Sequence, residues 1–273
     1  MKLLNVDVEV KSKQDKVTLI PLGDLHLGNI CCDLEAFKEA VQYINDTPNT
    51  YTLLMGDLVD AIVHTDNKRF DIDTIDTIYT TPEDQIQELV KILKPLADKK
   101  KIWGLLEGNH EHELKKRSYI PVCRRLSQEL NVPFPGYQTA IRLNIRRKSP
   151  RSTSFDGWTT IIYAHHGTGA GRSAGARLNK LIKLNEGWEA DIYLMGHLHD
   201  CIGHTNTKLT ISRKGKLKMV ESTHIYGMTG SFLKSYTDDE TSTYSERAGY
   251  TPTTIGTIRI EFDVAKKKRE IFS

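Results

Sequence analysis

The 273-residue chain carries 38 Lys and Arg against 35 Asp and Glu, a net charge of +3, with 38% hydrophobic and 27% charged residues. That balance excludes a disordered, solvating chain and by itself singles out neither nucleic acid nor an anionic membrane as partner. No stretch approaches the roughly 18 apolar residues of a membrane span, and the start MKLLNVDVEVKSKQD is charged where a secretory signal needs an apolar run, so a cytoplasmic protein with no membrane partner is expected.

In chain order, Val17 to Leu22 reads as a strand, and Leu34 to Ile44 as a helix with Asp33 as its N-cap. Tyr51 to Met55 is the next strand, Glu83 to Ala97 a helix opened by Pro82, and Lys101 to Leu106 a third strand. Leu114 to Leu130 has a helical pattern broken at Pro121, and Tyr137 to Ile145 and Trp158 to Ala164 read as strands. Ala174 to Leu184 is a helix and Ile192 to Met195 a short buried strand. Leu209 to Ser212, Leu217 to Glu221 and Ile255 to Phe262 alternate with period two, as sheet residues do. The pattern predicts two sheets packed face to face with helices outside. No Gly, Ser or Pro linker divides it, so residues 1–273 are expected to form one domain. Asp60 to Thr81 and Thr223 to Thr254 are left as long loops, of the kind that flank functional sites. Cys31, Cys32, Cys123 and Cys201 lack CxxC spacing and are expected to be reduced and packed as small side chains.

Five strands end in polar clusters: Asp24-Leu25-His26, Gly56-Asp57-Leu58-Val59-Asp60, Gly108-Asn109-His110-Glu111, His165-His166-Gly167 and Gly196-His197-Leu198-His199. Ligands bind beyond the carboxyl ends of strands in α/β sheets, where loops converge. Carboxylate, imidazole and amide oxygen are also ligands for first-row metals. In extended chain, residues two apart point the same way, so Asp24 with His26, and His197 with His199, can grip one ion.

The series DLH, GDLVD, GNHE, HHG and GHLH, in this order, closely resembles the calcineurin-like metallophosphoesterases. The resemblance runs from residue 17 to 199 and implies a four-layer α/β/β/α sandwich of two mixed sheets flanked by helices. It implies two metal ions: Asp24, His26, Asp57 and His199 would hold one, Asp57, Asn109, His165 and His197 the other, with Asp57 bridging. Such pairs, about 3.5–4 Å apart, acidify a bridging water and clamp phosphate oxygens for in-line attack. Mixed oxygen and nitrogen ligands suit manganese first, with iron or zinc as alternatives. His110 matches the family's catalytic histidine, and Asp60 and Glu111 match positions where a carboxylate orients an imidazole or amide ligand. Of the adjacent histidines, His165 is taken as the ligand because it is the first polar residue after the apolar run; His166 would then face the pocket rim or pack behind the sheet.

Gly167 to Ser173 lacks the ending of a P-loop and the GxGxxG spacing. Its backbone N–H groups and Arg172, at a helix start, could hold a substrate phosphate, or the loop could serve close packing alone. Basic clusters stand at Lys99 to Lys101, Lys115 to Arg117, Arg146 to Lys148 and Lys266 to Arg269; with the long loops they direct the substrate expectation toward DNA or RNA. Cyclic nucleotides and other small phosphoesters fit the same chemistry. A non-catalytic binding protein is disfavoured because every ligand position is filled.

Overall fold

The structure is a computed structural model and describes residues 1–12, 14–66, 69–147, 157–171, 173–212, 215–238 and 243–273. Its strands are β1 (Leu4–Val10), β2 (Lys16–Leu19), β3 (Thr50–Leu54), β4 (Ile102–Leu105), β5 (Gln138–Arg147), β6 (Gly157–His165), β7 (Ile192–Met195), β8 (Cys201–Ile211), β9 (Met219–Thr229), β10 (Arg259–Asp263) and β11 (Lys268–Phe272). The helices are α1 (Leu34–Asp46), α2 (Pro82–Asp98), α3 (Asn109–Ser118), α4 (Val122–Leu130), α5 (Ala174–Gly187) and α6 (Tyr244–Ala248).

One sheet has the order β1-β5-β6-β7-β9-β8 and the other β11-β10-β2-β3-β4, both mixing parallel and antiparallel pairs. The layers follow from which side chains meet. Val17, Leu19, Leu53, Ile260 and Phe262 of the second sheet pack against Val8, Ile141, Ile162, Leu194 and Ile225 of the first, forming the central core. On the far side of the second sheet, Leu22 and Leu54 meet Phe37 and Ile44 of α1, Leu89 and Leu93 of α2, and Leu126 of α4. Beyond the first sheet, Tyr163, Tyr193 and Tyr226 pack with Leu181 of α5. The result is the expected α/β/β/α sandwich.

Local chemistry sets the helix boundaries. Asp33 Oδ1 accepts the Ala36 N–H at 3.1 Å, and Thr81 and Asp84 make a reciprocal capping box ahead of Pro82. Lys101 Nζ donates to the carbonyl oxygens of Asn45 at 3.1 Å and Thr47 at 2.7 Å, and Lys99 Nζ to that of Asn45 at 3.2 Å, so this basic cluster caps the carboxyl end of α1. The cysteines are free thiols, and burial pushes Cys32 up to about 12, far from a reactive thiolate.

Three expectations change. β1, with its alternating burial, and β11 were not anticipated as strands. The segment from Thr223 is not all loop: β9 runs to Thr229, and Ile225, Tyr226 and Met228 are buried between sheet neighbours. A strand enclosed on both faces has no alternation to read, so its pattern looks irregular in sequence. Among the described residues, no helix is long and apolar enough to cross a membrane.

Candidate metal centre

β2, β3, β4, β6 and β7 all end at the same edge of the sandwich, and their polar clusters meet there. Among the described residues three triads present ligand atoms close together: Asp24, His26 and His199; Asp57, His166 and His197; and His26, Asp60 and His110, which shares His26 with the first. Asp57 Oδ2 reaches the first two, lying 3.3 Å from His166 Nε2 and 4.0 Å from His26 Nε2. Asn109 Oδ1 joins the second group at 3.1 Å from His166 Nε2. In the first, His26 Nε2 and His199 Nε2 face each other at 3.2 Å, with Asp24 Oδ1 3.4 Å from His199 Nε2.

Hydrogen bonds elsewhere on the rings decide which nitrogens are free. His166 Nδ1 faces the Met55 carbonyl oxygen at 2.8 Å, and a carbonyl only accepts, so Nδ1 carries the proton. Nε2 therefore turns a lone pair toward two oxygens that also offer lone pairs, those of Asp57 and Asn109. Likewise His197 Nε2 donates to the Gly169 carbonyl at 2.9 Å, leaving Nδ1 free. Converging lone pairs in a buried site call for a cation. With only a proton available, burial opposes charging His166, yet the Asp57 carboxylate raises its pKa to about 10. Burial also opposes ionisation of Asp57, but His166 and His110 outweigh it and hold the carboxyl well below the usual range. His26 Nδ1 is buried and makes no hydrogen bond, although Asp60 Oδ1 lies 3.4 Å away. The Asp24–His26–His199 and Asp57–His166–His197 triads thus fit metal ions.

The backbone is strained at the same residues. Asp24 (φ 49°), His26 (φ 53°), Asp57 (φ 48°), His197 (φ 67°) and His199 (φ 53°) are all left-handed, at about 1–3 kcal/mol each. Left-handed turns let consecutive side chains converge on one point beyond the strand end. Close backbone contact holds these turns together: a Cβ on Gly108 would sit 2.2 Å from the Asp57 nitrogen and Oδ1. Gly108→Ala is accordingly expected to lower stability by about 3 kcal/mol, seen as a melting temperature reduced by roughly 10 °C with activity lost in parallel.

Glu111 and Asp60 have different tasks. Glu111 was expected to orient a ligand side chain; instead its carboxylate accepts the N–H groups of Asp57 at 3.0 Å, Leu58 at 2.7 Å and Gly108 at 2.9 Å. It fastens the GDLVD turn to the GNHE turn through backbone, not through an imidazole or amide. Burial first, then the nearby Asp57 carboxylate, raises its pKa. Asp60 Oδ1 does lie between two rings, 3.4 Å from His26 Nδ1 and 3.5 Å from His110 Nδ1. His110 Nδ1 donates to the Asp60 carbonyl at 2.6 Å, which occupies that nitrogen.

The structure does not bring His165, expected as the ligand, to the cluster; it brings His166 there. On β6, Ile162 and Ala164 face the inter-sheet core and Tyr163 faces α5. His165 follows the outer parity: its Nδ1 accepts the Gly167 N–H at 2.8 Å and its ring rests edge-on against Tyr137. His166 falls on the inner side, fully buried beside Asp57, and is neither at the rim nor behind the sheet. Arg172 lies outside the described residues; in the loop around it, the Gly169 carbonyl is engaged by His197, and the Gly171 carbonyl accepts Arg177 Nε at 2.8 Å.

A family model for calcineurin-like phosphoesterases matches residues 18–201, more than half the chain. The chain belongs to the calcineurin-like phosphoesterases. As one of these phosphoesterases it carries, at its strand ends, His and Asp clusters that could hold metal ions. A search of the curated proteins finds no match. Residues beyond the match still support the phosphoesterase site: Ser231 Oγ and the Phe232 N–H donate to the Asp24 carbonyl at 2.8 and 3.0 Å. Neither residue, nor Tyr137 against both histidines, stands in a motif, so only the folded chain reveals them.

Proposed function

We propose that this phosphoesterase uses two metal ions, manganese by preference, to hydrolyse phosphodiester bonds of nucleic acid. The position of Asp57 Oδ2 against both histidine groups carries the two-metal reading. Asp24, His26, Asp57 and His199 would hold one ion, and Asp57, Asn109, His166 and His197 the other. When bound, the pair supplies charge to the phosphoryl oxygens and acidifies water.

The chain's own residues do the rest. His110, steadied at Nδ1 by the Asp60 carbonyl, presents Nε2 to a phosphoryl oxygen or to the leaving oxygen, to which it can give a proton. Asp60 keeps His110 and His26 in register, and Glu111 keeps the two turns from separating.

Long segments beside the strand ends support the polymeric substrate. Described residues of the two segments, 60–81 and 230–256, are tied to the chain beside the centre and to each other: Ile30 N–H bonds to Thr74 O at 3.0 Å, Lys234 N–H to Cys31 O at 2.8 Å, and Arg247 pairs with Asp71 at 2.5 Å. Lys115, Lys116 and Arg117 add little free charge, since each pairs with Glu107 or Glu113.

The reading is tested by adding manganese to metal-stripped protein and comparing kcat/KM for single- and double-stranded DNA, RNA, cyclic nucleotides and phosphomonoesters. DNA or RNA is expected to be turned over fastest, and EDTA to abolish it. Faster turnover of cyclic nucleotides or monoesters overturns the nucleic-acid assignment.

A further inference from the structure

The end of the sandwich opposite the metal centre carries a feature the phosphoesterase site does not use. β8 and β9 pair from Cys201↔Thr229 to Ile211↔Met219, whereas β7 covers β9 only from Ile225 to Met228. Past Thr223, β9 has no strand neighbour except β8 among the described residues, so a two-stranded ribbon projects from the sheet. β9 runs parallel to β7, whose carboxyl end is the catalytic edge, which puts Met219 about 30 Å from that edge at ~3.3 Å per residue.

The ribbon is basic and unpaired. From Gly203 to Val220 the sequence has no acidic residue, and Lys208, Lys216 and Lys218 are exposed with no carboxylate partner among the described residues. The β10–β11 turn lies alongside: Ile271 packs over Gly203 and Gly227, and Arg269 reaches the Thr223 carbonyl at 3.4 Å. That turn adds Lys266, Lys267 and Lys268, of which Lys266 pairs with Asp263 and Lys268 with Glu270. A groove of about 690 Å³ separates the two elements, with Thr205, Glu221 and Thr223 on one side and Lys267 and Lys268 on the other. Against a whole-chain charge of only +3, this end is strongly polarised.

The ribbon also exposes apolar side chains. Leu209, Ile211 and Met219 share the face turned toward the groove and are 66%, 62% and 75% exposed, whereas Lys208 lies on the opposite face of the ribbon. A soluble partner that accounts for both faces is a duplex: the major groove admits a two-stranded ribbon, whose apolar face meets base methyls while lysines on its back and in the turn reach out to the flanking phosphates.

We propose that the β8–β9 ribbon and the β10–β11 turn form a docking surface for double-stranded nucleic acid, separate from the metal centre. The surface holds the polymer while hydrolysis takes place elsewhere on the molecule.

Fluorescence anisotropy with the full-length chain in EDTA, where no cleavage occurs, tests this apart from the catalytic reading. A labelled duplex of arbitrary sequence is expected to bind with affinity falling steeply between about 50 and 200 mM salt. The triple variant K208E/K216E/K218E is expected to bind at least about tenfold more weakly. K38E/K91E/K94E, with the same charge change on α1 and α2, should lose less than about threefold. Both variants should hydrolyse bis(p-nitrophenyl) phosphate like wild type. Equal loss in the two variants, unaltered binding by the ribbon variant, or wild-type binding to phosphatidylserine vesicles but not to duplex overturns the proposal. Loss of nuclease activity with binding intact would instead fault the catalytic reading alone.

Discussion

Asp57→Asn is expected to reduce turnover of bis(p-nitrophenyl) phosphate by about 10³-fold while the protein stays folded. Asparagine keeps the shape, and an oxygen at the Oδ1 position can still accept the His110 N–H, which Asp57 takes at 2.9 Å. The change removes the charge of a carboxylate whose Oδ2 lies against both histidine groups. Metal stabilisation of a phosphoryl group is worth several kcal/mol, and each ~1.4 kcal/mol is a factor of ten. The checks are kcat/KM with added manganese, and metal content by elemental analysis, which should fall below wild type. Activity within about tenfold of wild type would remove Asp57 from the centre of the mechanism.

The second large effect separates two adjacent residues. His166→Ala is expected to lower activity by about 10²–10³-fold and to reduce bound metal, because Nε2 of that ring faces Asp57 and Asn109. His165→Ala is expected to stay within about threefold, since its ring contacts Tyr137 and the Gly167 N–H at the outer side of β6. Measured together under the same metal concentration, the pair is self-controlling: both lie at one strand end and differ only in which way they point. The reverse ranking would return the ligand role to His165.

That pair also shows where sequence reading succeeds and where it stops. DLH, GDLVD, GNHE and GHLH lie in the chain with the spacing that brings their side chains to one edge, and the structure gathers Asp24, His26, Asp57, Asn109, His197 and His199 there. For the HH pair, position after the apolar run pointed to His165. Strand parity points to His166, and it could be applied only if the inward face of Ile162 and Ala164 were known. Glu111 tells the same story at another level: its motif position was legible, but its task, binding three backbone N–H groups, belongs to the approach of two loops.

The basic clusters were equally visible as letters and equally mute about place. Lys99 and Lys101 end as caps of α1, and Lys115 to Arg117 as partners of Glu107 and Glu113. Lys266 to Arg269 come to stand beside a ribbon that begins more than fifty residues earlier in the chain.

By itself, the sequence determined the chemistry and the layering, because ligand type, short-range spacing and hydrophobic period are local properties of the chain. The tertiary structure decided which histidine enters the site, which carboxylate serves backbone rather than side chain, and which charges remain free. Those outcomes depend on the face each strand turns inward and on which distant segments pack together.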